Sequence, residues 1–306
     1  MTTPGPAVTR RALLGMAVLA PLAACTRGNP PAPPSPTPPP PSPSTSRQFH
    51  DRLMELEKKF DARLGVYALD TEGGGTVEHR ADERFAFCST FKGVAAAAVL
   101  RRNPLSHLET RVSYSRDDLM EHAPVTGRHV ATGMTIRQLC DAAIRFSDGT
   151  AGNLLLRDLG GPAELTAFTR SLGDTVTRMD RIEPAITEAA PGDLRDTTTA
   201  RAFAADYRKI VLGDALTADK RDFLRDLLQR NTTGAERIRA GVPSGWTVAD
   251  KTGTGAYGTL NDIAVVWPPG KAPIVVAIMS GKAAKDAPYD QALLAESAKY
   301  VVEKLA

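Results

Sequence analysis

Cysteine is scarce in this sequence, with three residues in 306, at positions 25, 88 and 140. So widely spaced, they cannot supply the clustered ligands of a zinc site, and neither a metal nor any other cofactor is expected. In an oxidising compartment Cys88 and Cys140 either pair or stand as two isolated buried thiols, and the sequence leaves both readings open. No block of basic residues interleaved with aromatics occurs, and two units of the formal net charge of +3 come from Arg10 and Arg11. A nucleic-acid partner is therefore not expected. The apolar stretch that follows Arg11 ends near Ala24, short of the roughly 20 residues that cross a bilayer. Nothing asks for a second chain, so a monomer is expected. What is present has the make-up of an ordinary globule, 42% hydrophobic and 24% charged, with ample material for one large domain or two intermingled ones.

The first residues read as an address. Thr9-Arg10-Arg11-Ala12-Leu13-Leu14 is a paired-arginine start that runs into the apolar stretch, so residues 1–25 are expected to be a signal peptide, exported by either the twin-arginine or the general route. Leu22-Ala23-Ala24-Cys25 resembles a lipobox, in which Cys25 becomes the lipidated first residue of the mature protein. Residues 26–46 are dominated by proline with Ser and Thr between. Proline fixes φ and lacks an amide donor, so this stretch predicts an extended tether that holds a folded body clear of a membrane surface. The expected location is the cell envelope or periplasm, lipid-anchored on the outer face of the cytoplasmic membrane.

The body starts with Phe49, Leu53, Leu56 and Phe60 at helical spacing, which predicts an amphipathic helix over 47–62. Segments 65–70 and 76–80 flank Gly73-Gly74-Gly75 and read as a hairpin. From about 89 to 228 the patterns are mostly helical. Strand character returns at 246–251, 261–267 and 273–280, and a last helix covers about 289–305. Strands at both ends with helices between predict one sheet built from the two termini, with parts 47–86 and 229–306, and a helical insertion over 87–228. The cleft between them is the natural place for a site.

Three short motifs carry chemistry. Cys88-Ser89-Thr90-Phe91-Lys92 opens an Ala/Val-rich helix, so Ser89 and Lys92, three apart, share a face at a helix N-terminus. An adjacent amine there can activate a hydroxyl as nucleophile. Ser147-Asp148-Gly149 follows a second helix, and Lys251-Thr252-Gly253-Thr254-Gly255 ends a predicted strand. Each alone also fits a bland reading: a capping serine beside a surface lysine, a polar helix end, a strand-ending turn. In this order and on these elements they form a specific signal.

On these residues the sequence resembles the penicillin-recognising serine enzymes. The segment Arg181-Ile182-Glu183-Pro184-Ala185-Ile186-Thr187 through Asp196 resembles the Ω-loop of class A β-lactamases, most of all those of mycobacteria and other actinobacteria. The resemblance runs from about residue 49 to the C-terminus. It implies an α/β (α+β) fold, an antiparallel five-stranded sheet flanked by N- and C-terminal helices, with an inserted all-helical domain carrying an Ω-loop over 181–196. It also implies hydrolysis of the β-lactam amide bond through an acyl-enzyme on Ser89, with a small-molecule β-lactam as substrate. Lys92, or Glu183 through a water, takes the serine proton. Ser147 relays a proton to the leaving nitrogen, the amides of Ser89 and Thr254 form the oxyanion hole, and Lys251, Thr252, Gly253 and Thr254 bind substrate. Glu183 then activates the deacylating water.

The chain departs from that family pattern at several positions. Thr187 stands where most members have Asn beside the deacylating water, which predicts slowed or substrate-dependent release. Leu260 replaces an Arg that binds the substrate carboxylate in many members, and Arg237 is the expected replacement, against a solvated helix arginine. Gly149 replaces an Asn, which predicts a wider site and weaker capture by clavulanate-type inhibitors. His122 occupies a cleft-rim position that is often aromatic, read either as a substrate-stacking or a solvated side chain. The rival readings are a D-Ala-D-Ala peptidase, a β-lactam-binding lipoprotein that never releases its adduct, and, last, a solute-binding lipoprotein.

Overall fold

The computed structural model describes residues 44–306, and the expected signal peptide, Cys25 and all but the end of the expected tether lie outside the described residues. Helix α1 (Ser44–Phe60) leads into strands β1 (Arg63–Asp70), β2 (Thr76–His79) and the short β3 (Arg84–Ala86), and a single 3-10 turn at Cys88–Thr90 then opens α2 (Phe91–Arg102). Two-residue strands β4 (Arg111–Val112) and β5 (Met134–Thr135) precede helices α3 (Ile136–Arg145), α4 (Gly149–Leu159) and α5 (Pro162–Ser171). A long loop with one 3-10 turn at Ala185–Thr187 then reaches β6 (Thr197–Thr199), and α6 (Ala200–Val211), α7 (Ala218–Gln229) and α8 (Ile238–Gly241) follow. The chain closes with β7 (Thr247–Thr254), β8 (Leu260–Trp267), β9 (Ile274–Gly281) and α9 (Gln291–Leu305).

The sheet has the order β2-β1-β9-β8-β7 and is antiparallel throughout. Strands from the two ends of the described residues thus meet within it, where β1 pairs with β9 from Arg63 opposite Gly281 to Asp70 opposite Ile274. The side chains of β9 alternate between two apolar clusters. Val275, Ala277 and Met279 face the helical body, while Ile274, Val276 and Ile278 face α1 and α9. Burial on both faces is why β9 over 274–279 and β8 from Ile263 onwards read as continuous apolar runs rather than alternating ones. The expected N-terminal helix ends earlier than its pattern suggests, at Phe60, because Asp61 adopts a left-handed φ of 46°. The insertion is helical apart from two short ladders, β4 with β5 and β6 with β3. Cys88 and Cys140 are free and buried, and burial pushes both thiols up to about 12.

One buried contact away from the sheet links stability to pH. Asp206 of α6 is 1% exposed, and burial first, then the neighbouring Asp174, pushes its carboxyl up to about 9. Asp174 uses its Oδ1 to hold the amides of Val176 and Thr177, just ahead of the long loop. The folded protein keeps a proton on Asp206 that the unfolded chain releases near pH 4. This group's stabilising contribution is therefore complete below pH 4 and is lost as pH rises towards 9. Asp206→Asn supplies a permanent donor to Asp174. Thermal melts at pH 6 and pH 8.5 should show a smaller loss of Tm with rising pH in the variant than in the parent.

Candidate active site

Ser89 lies in the 3-10 turn that opens α2, and Lys92 follows it on the same face. Two left-handed residues frame the approach, Cys88 with φ 46° and Ser147 with φ 56°, sparsely populated conformations that persist only where packing over-determines them. The turn is fixed by its neighbours. Tyr207 donates its hydroxyl to the Thr90 carbonyl at 2.9 Å, and the Asn261 amide donates to the carbonyls of Ala86 and Phe87.

Lys92 is fully buried, and its Nζ meets three acceptors: Glu183 Oε1 at 2.6 Å, the Ser147 carbonyl at 2.7 Å and Ser89 Oγ at 2.9 Å. An ammonium has three protons, and here each has an acceptor. Burial draws the lysine below its usual range, and the Glu183 carboxylate opposes that shift. Room for the side chain comes from Gly152, where a Cβ would stand 2.6 Å from Lys92 Cε. Ser89 Oγ in turn donates to Glu183 Oε1 at 3.1 Å. On the other side of the cleft Lys251, buried on β7, donates to Ser147 Oγ at 3.1 Å and to the Thr252 carbonyl. Burial first, and then the charge of Lys92, hold Lys251 well below the ordinary lysine range.

Glu183 reaches this cluster from the long loop, which is closed at its base by Arg181 with Asp196 at 2.5 Å, while Asp196 Oδ1 also accepts the amides of Asp180 and Arg181. Asn153 of α4 bonds both sides of the Glu183 backbone, accepting its amide at 3.0 Å and donating to its carbonyl at 2.9 Å. Sequence reading missed Asn153 and also Asp148, although Asp148 sits inside a motif it had found. The buried Asp148 carboxylate accepts the amides of Ala151, Val125 and Thr126 and the Thr126 hydroxyl. It thereby caps α4 and holds the strained Ser147 beside it.

The remaining expected residues fall into place unevenly. Arg237 is buried rather than solvated, with its guanidinium fanned over Thr254 Oγ1 at 2.9 Å and the carbonyls of Gly253 and Asn261. Burial lowers its pKa and nearby Asp262 opposes that. Leu260 points the other way, into the core against α1 and α9. Thr187 commits its hydroxyl proton to the Pro184 carbonyl at 2.7 Å, so only its oxygen lone pairs are left to hold a water. Its own carbonyl accepts the Ala256 amide and ties the loop to the end of β7. His122 is exposed, with Nε2 3.1 Å from the Phe146 carbonyl. The widening expected at Gly149 does not occur: an added Cβ would lie 2.4 Å from Glu183 Oε2, so Glu183 itself fills that space. The expected acid and amine thus converge on Ser89. A cavity of about 640 Å³ behind the loop, lined in part by Arg63, Phe85, Pro191 and Tyr257, contains none of these groups.

The site thus holds a hydroxyl between a buried ammonium and a carboxylate, facing a second lysine across a serine. Residues 48–305 match the β-lactamase enzyme family. The chain belongs to that family. It is 54% identical over 303 residues to the β-lactamase of Mycobacterium tuberculosis, covering 97% of each chain, and 54% identical over 302 residues to β-lactamase AST-1 of Nocardia asteroides. Among solved structures, the class A β-lactamase of Mycobacterium abscessus superposes with a TM-score of 0.81 at 49% identity, covering 84% of this chain and 98% of that one. The β-lactamase of Streptomyces albus G superposes at 0.83 and 48% identity, covering 85% and 100%.

Asp148→Ala would strand three backbone amides and a hydroxyl in a dry interior. Bonds to a charged group contribute about 1.5–3 kcal/mol each, so urea unfolding should show a loss of at least about 3 kcal/mol. Activity should fall in parallel as Ser147 loses its support.

Proposed function

We propose that the cluster around Ser89 performs a two-step acyl transfer on β-lactams. The chain is a class A serine β-lactamase, which hydrolyses the β-lactam amide and so confers resistance to these antibiotics. Ser89 Oγ attacks the lactam carbonyl and its proton passes to a base. Ser147 then protonates the departing nitrogen and is itself re-protonated from Lys251. Backbone amides of Ser89 and Thr254 hold the oxyanion, where one such donor is worth about 3 kcal/mol of barrier. Lys251 and Arg237, with Thr252, Gly253 and Thr254, take the substrate carboxylate; Gly149, Thr187 and His122 border the rest of the substrate. In the second step Glu183 draws a proton from water, which attacks the ester.

The observation that carries this reading is the carboxylate of Glu183, which lies within hydrogen-bond reach of both Ser89 and Lys92. A peptidase that stays acylated has no need of a carboxylate there, and a simple solute-binding protein has no need of any of the three groups. The Thr187 hydroxyl donates to the Pro184 carbonyl and its oxygen can still accept a hydrogen bond, which supports a working rather than a disabled release step. The purified protein should turn over a chromogenic cephalosporin continuously, and Ser89→Ala should abolish the signal. Glu183→Ala should accumulate an adduct visible by intact mass. A burst that stops at one equivalent in the parent protein would favour the acyl trap instead.

Export belongs to the same reading. The paired arginines and the lipobox at Cys25 support delivery to the cell envelope and a lipid anchor on the outer face of the cytoplasmic membrane, with a monomeric catalytic body beyond the proline-rich tether. Among the described residues no helix is long and apolar enough to cross a membrane, so an anchor has to come from the N-terminal segment if the protein is membrane-held. In a mycobacterial host the full-length protein should fractionate with membranes, and Cys25→Ala should move most of its activity to the soluble fraction. Equal distribution of the two would remove the anchor.

A further inference from the structure

The cavity behind the loop takes no part in the chemistry at Ser89, yet at about 640 Å³ it has the size of a small-molecule site, roughly 300–1,000 Å³. One side is formed by β3 and the start of β6, where Ala86 pairs with Thr197. A second is the loop itself, from Ala189 to Asp193, and a third is the end of β9 with Tyr257 and Lys282. Phe85, Ala86, Ala190 and Pro191 give it an apolar surface.

The charges around this cavity do not cancel. Five basic and three acidic residues line it. Arg63 is spent on Glu83 at 2.7 Å, and Arg80 on Glu57 at 2.8 Å. Asp193 is held by Arg195 at 2.7 Å, which leaves Asp61 as the one lining carboxylate without an ion pair among the described residues. Three lining cations, Lys58, Arg84 and Lys282, have no carboxylate within ion-pair distance among the described residues. Arg84 is half-buried on β3 and spends two donors, on Thr197 Oγ1 and the Val176 carbonyl, each at 2.9 Å. A guanidinium has about five N–H donors, so most of its capacity is left for an anion. No acidic residue occurs in residues 1–46, so the N-terminal segment cannot supply the missing charge.

We propose that this cavity binds a small amphiphilic anion, an apolar body carrying one carboxylate, and that the bound anion clamps the loop of Glu183 against the sheet. Arg84 and Lys282 supply the charge, and Phe85 and Pro191 the apolar contact. The clamp follows from what the walls are attached to. Asp193 lies 3.9 Å from Arg181, the residue that closes the loop at Asp196. On the sheet side Tyr257 follows Ala256, whose amide donates to the Thr187 carbonyl at 2.9 Å. An occupant that touches both walls binds only while the loop lies closed. By linkage it then disfavours opening in proportion to its concentration over its Kd.

The probe is 2-naphthoate, with 2-naphthamide as its neutral counterpart of the same shape. Titrated into the purified protein and followed by backbone amide chemical shifts, naphthoate should saturate with a Kd of about 1 mM or tighter, as expected for about 13 heavy atoms. The largest shifts should fall on Gly192, Thr197 and Gly281. Naphthamide should bind more weakly by at least about fivefold, the worth of roughly one charge-assisted hydrogen bond. Arg84→Gln should weaken naphthoate by a similar factor and change naphthamide by less than about twofold. At about ten times Kd, hydrogen exchange at the amides of Asp180 and Arg181 should slow about tenfold, while α3, which does not line the cavity, is unaffected. Absence of saturation, equal affinity for the acid and the naphthamide, shifts centred on Ser89 and Ser147, or unchanged loop exchange each overturns the proposal. If Arg84→Gln does not fold, Lys282→Gln carries the same comparison, with a loss of at least about threefold expected. Binding is read without any substrate, so the outcome is independent of whether the protein hydrolyses a β-lactam.

Discussion

The contact between the Lys92 ammonium and the Glu183 carboxylate, 2.6 Å apart with the lysine fully buried, is the constraint around which the rest of the molecule is arranged. Such a pair is a weak source of stability, because stripping water from two charges offsets most of their attraction. It has to be held by a fold that is stable for other reasons. Here those reasons are the two apolar faces of the sheet, packed against α1 and α9 on one side and the helical body on the other. The pair also needs to be reached from two directions. Lys92 comes up through α2, past the missing side chain of Gly152, and Glu183 comes down from a loop whose base is closed by Arg181 and Asp196. Loop closure by a nearly buried ion pair fixes the loop as a unit, so that Asn153 can set its inner residue to within a hydrogen bond.

What was legible in the sequence follows from what spacing can encode. Ser89 and Lys92 are three apart on a helix, so their meeting is dictated by helical geometry and could be read directly. Alternation and apolar runs likewise located the strands, and both chain ends supply strands to a single sheet as expected. The meeting of Glu183 with them, 94 residues beyond Ser89, was not encoded by any local pattern and came only through resemblance to a family. The long-range partners of Asn153, Asp148 and Asp206 were hidden for a related reason. Each is a polar residue on an otherwise ordinary helix or helix end, and what distinguishes it is burial against a partner far along the chain. A signal was available for Asp148, since an Asp directly ahead of a helix is a favoured N-cap, but its further bonds to Val125 and Thr126 have no trace in sequence.

Gly149 shows where a resemblance misleads when read one residue at a time. Removing a side chain suggests space, and the expectation of a roomier site followed from that alone. Cavities in a packed interior rarely stay open when a neighbour can reach them, and Glu183 is long enough and close enough to do so. The same logic explains Thr187. A shorter side chain than Asn does not reach across the site but bonds back to the Pro184 carbonyl of its own turn, as threonine hydroxyls commonly do.

Charge gives the site its direction. Lys92, Lys251 and Arg237 converge on one cleft, with Glu183 as the carboxylate in contact with Ser89. Burial weakens the hold of Lys251 and Arg237 on their protons, and Lys92 adds to the effect at Lys251. An anionic group arriving between Lys251 and Arg237 would reverse that shift by pairing with both. Binding of such a group and proton uptake by Lys251 would favour one another, as linkage requires. In the proposed acyl transfer a charged Lys251 re-protonates Ser147, so a substrate carboxylate held there would also ready the proton for the leaving nitrogen.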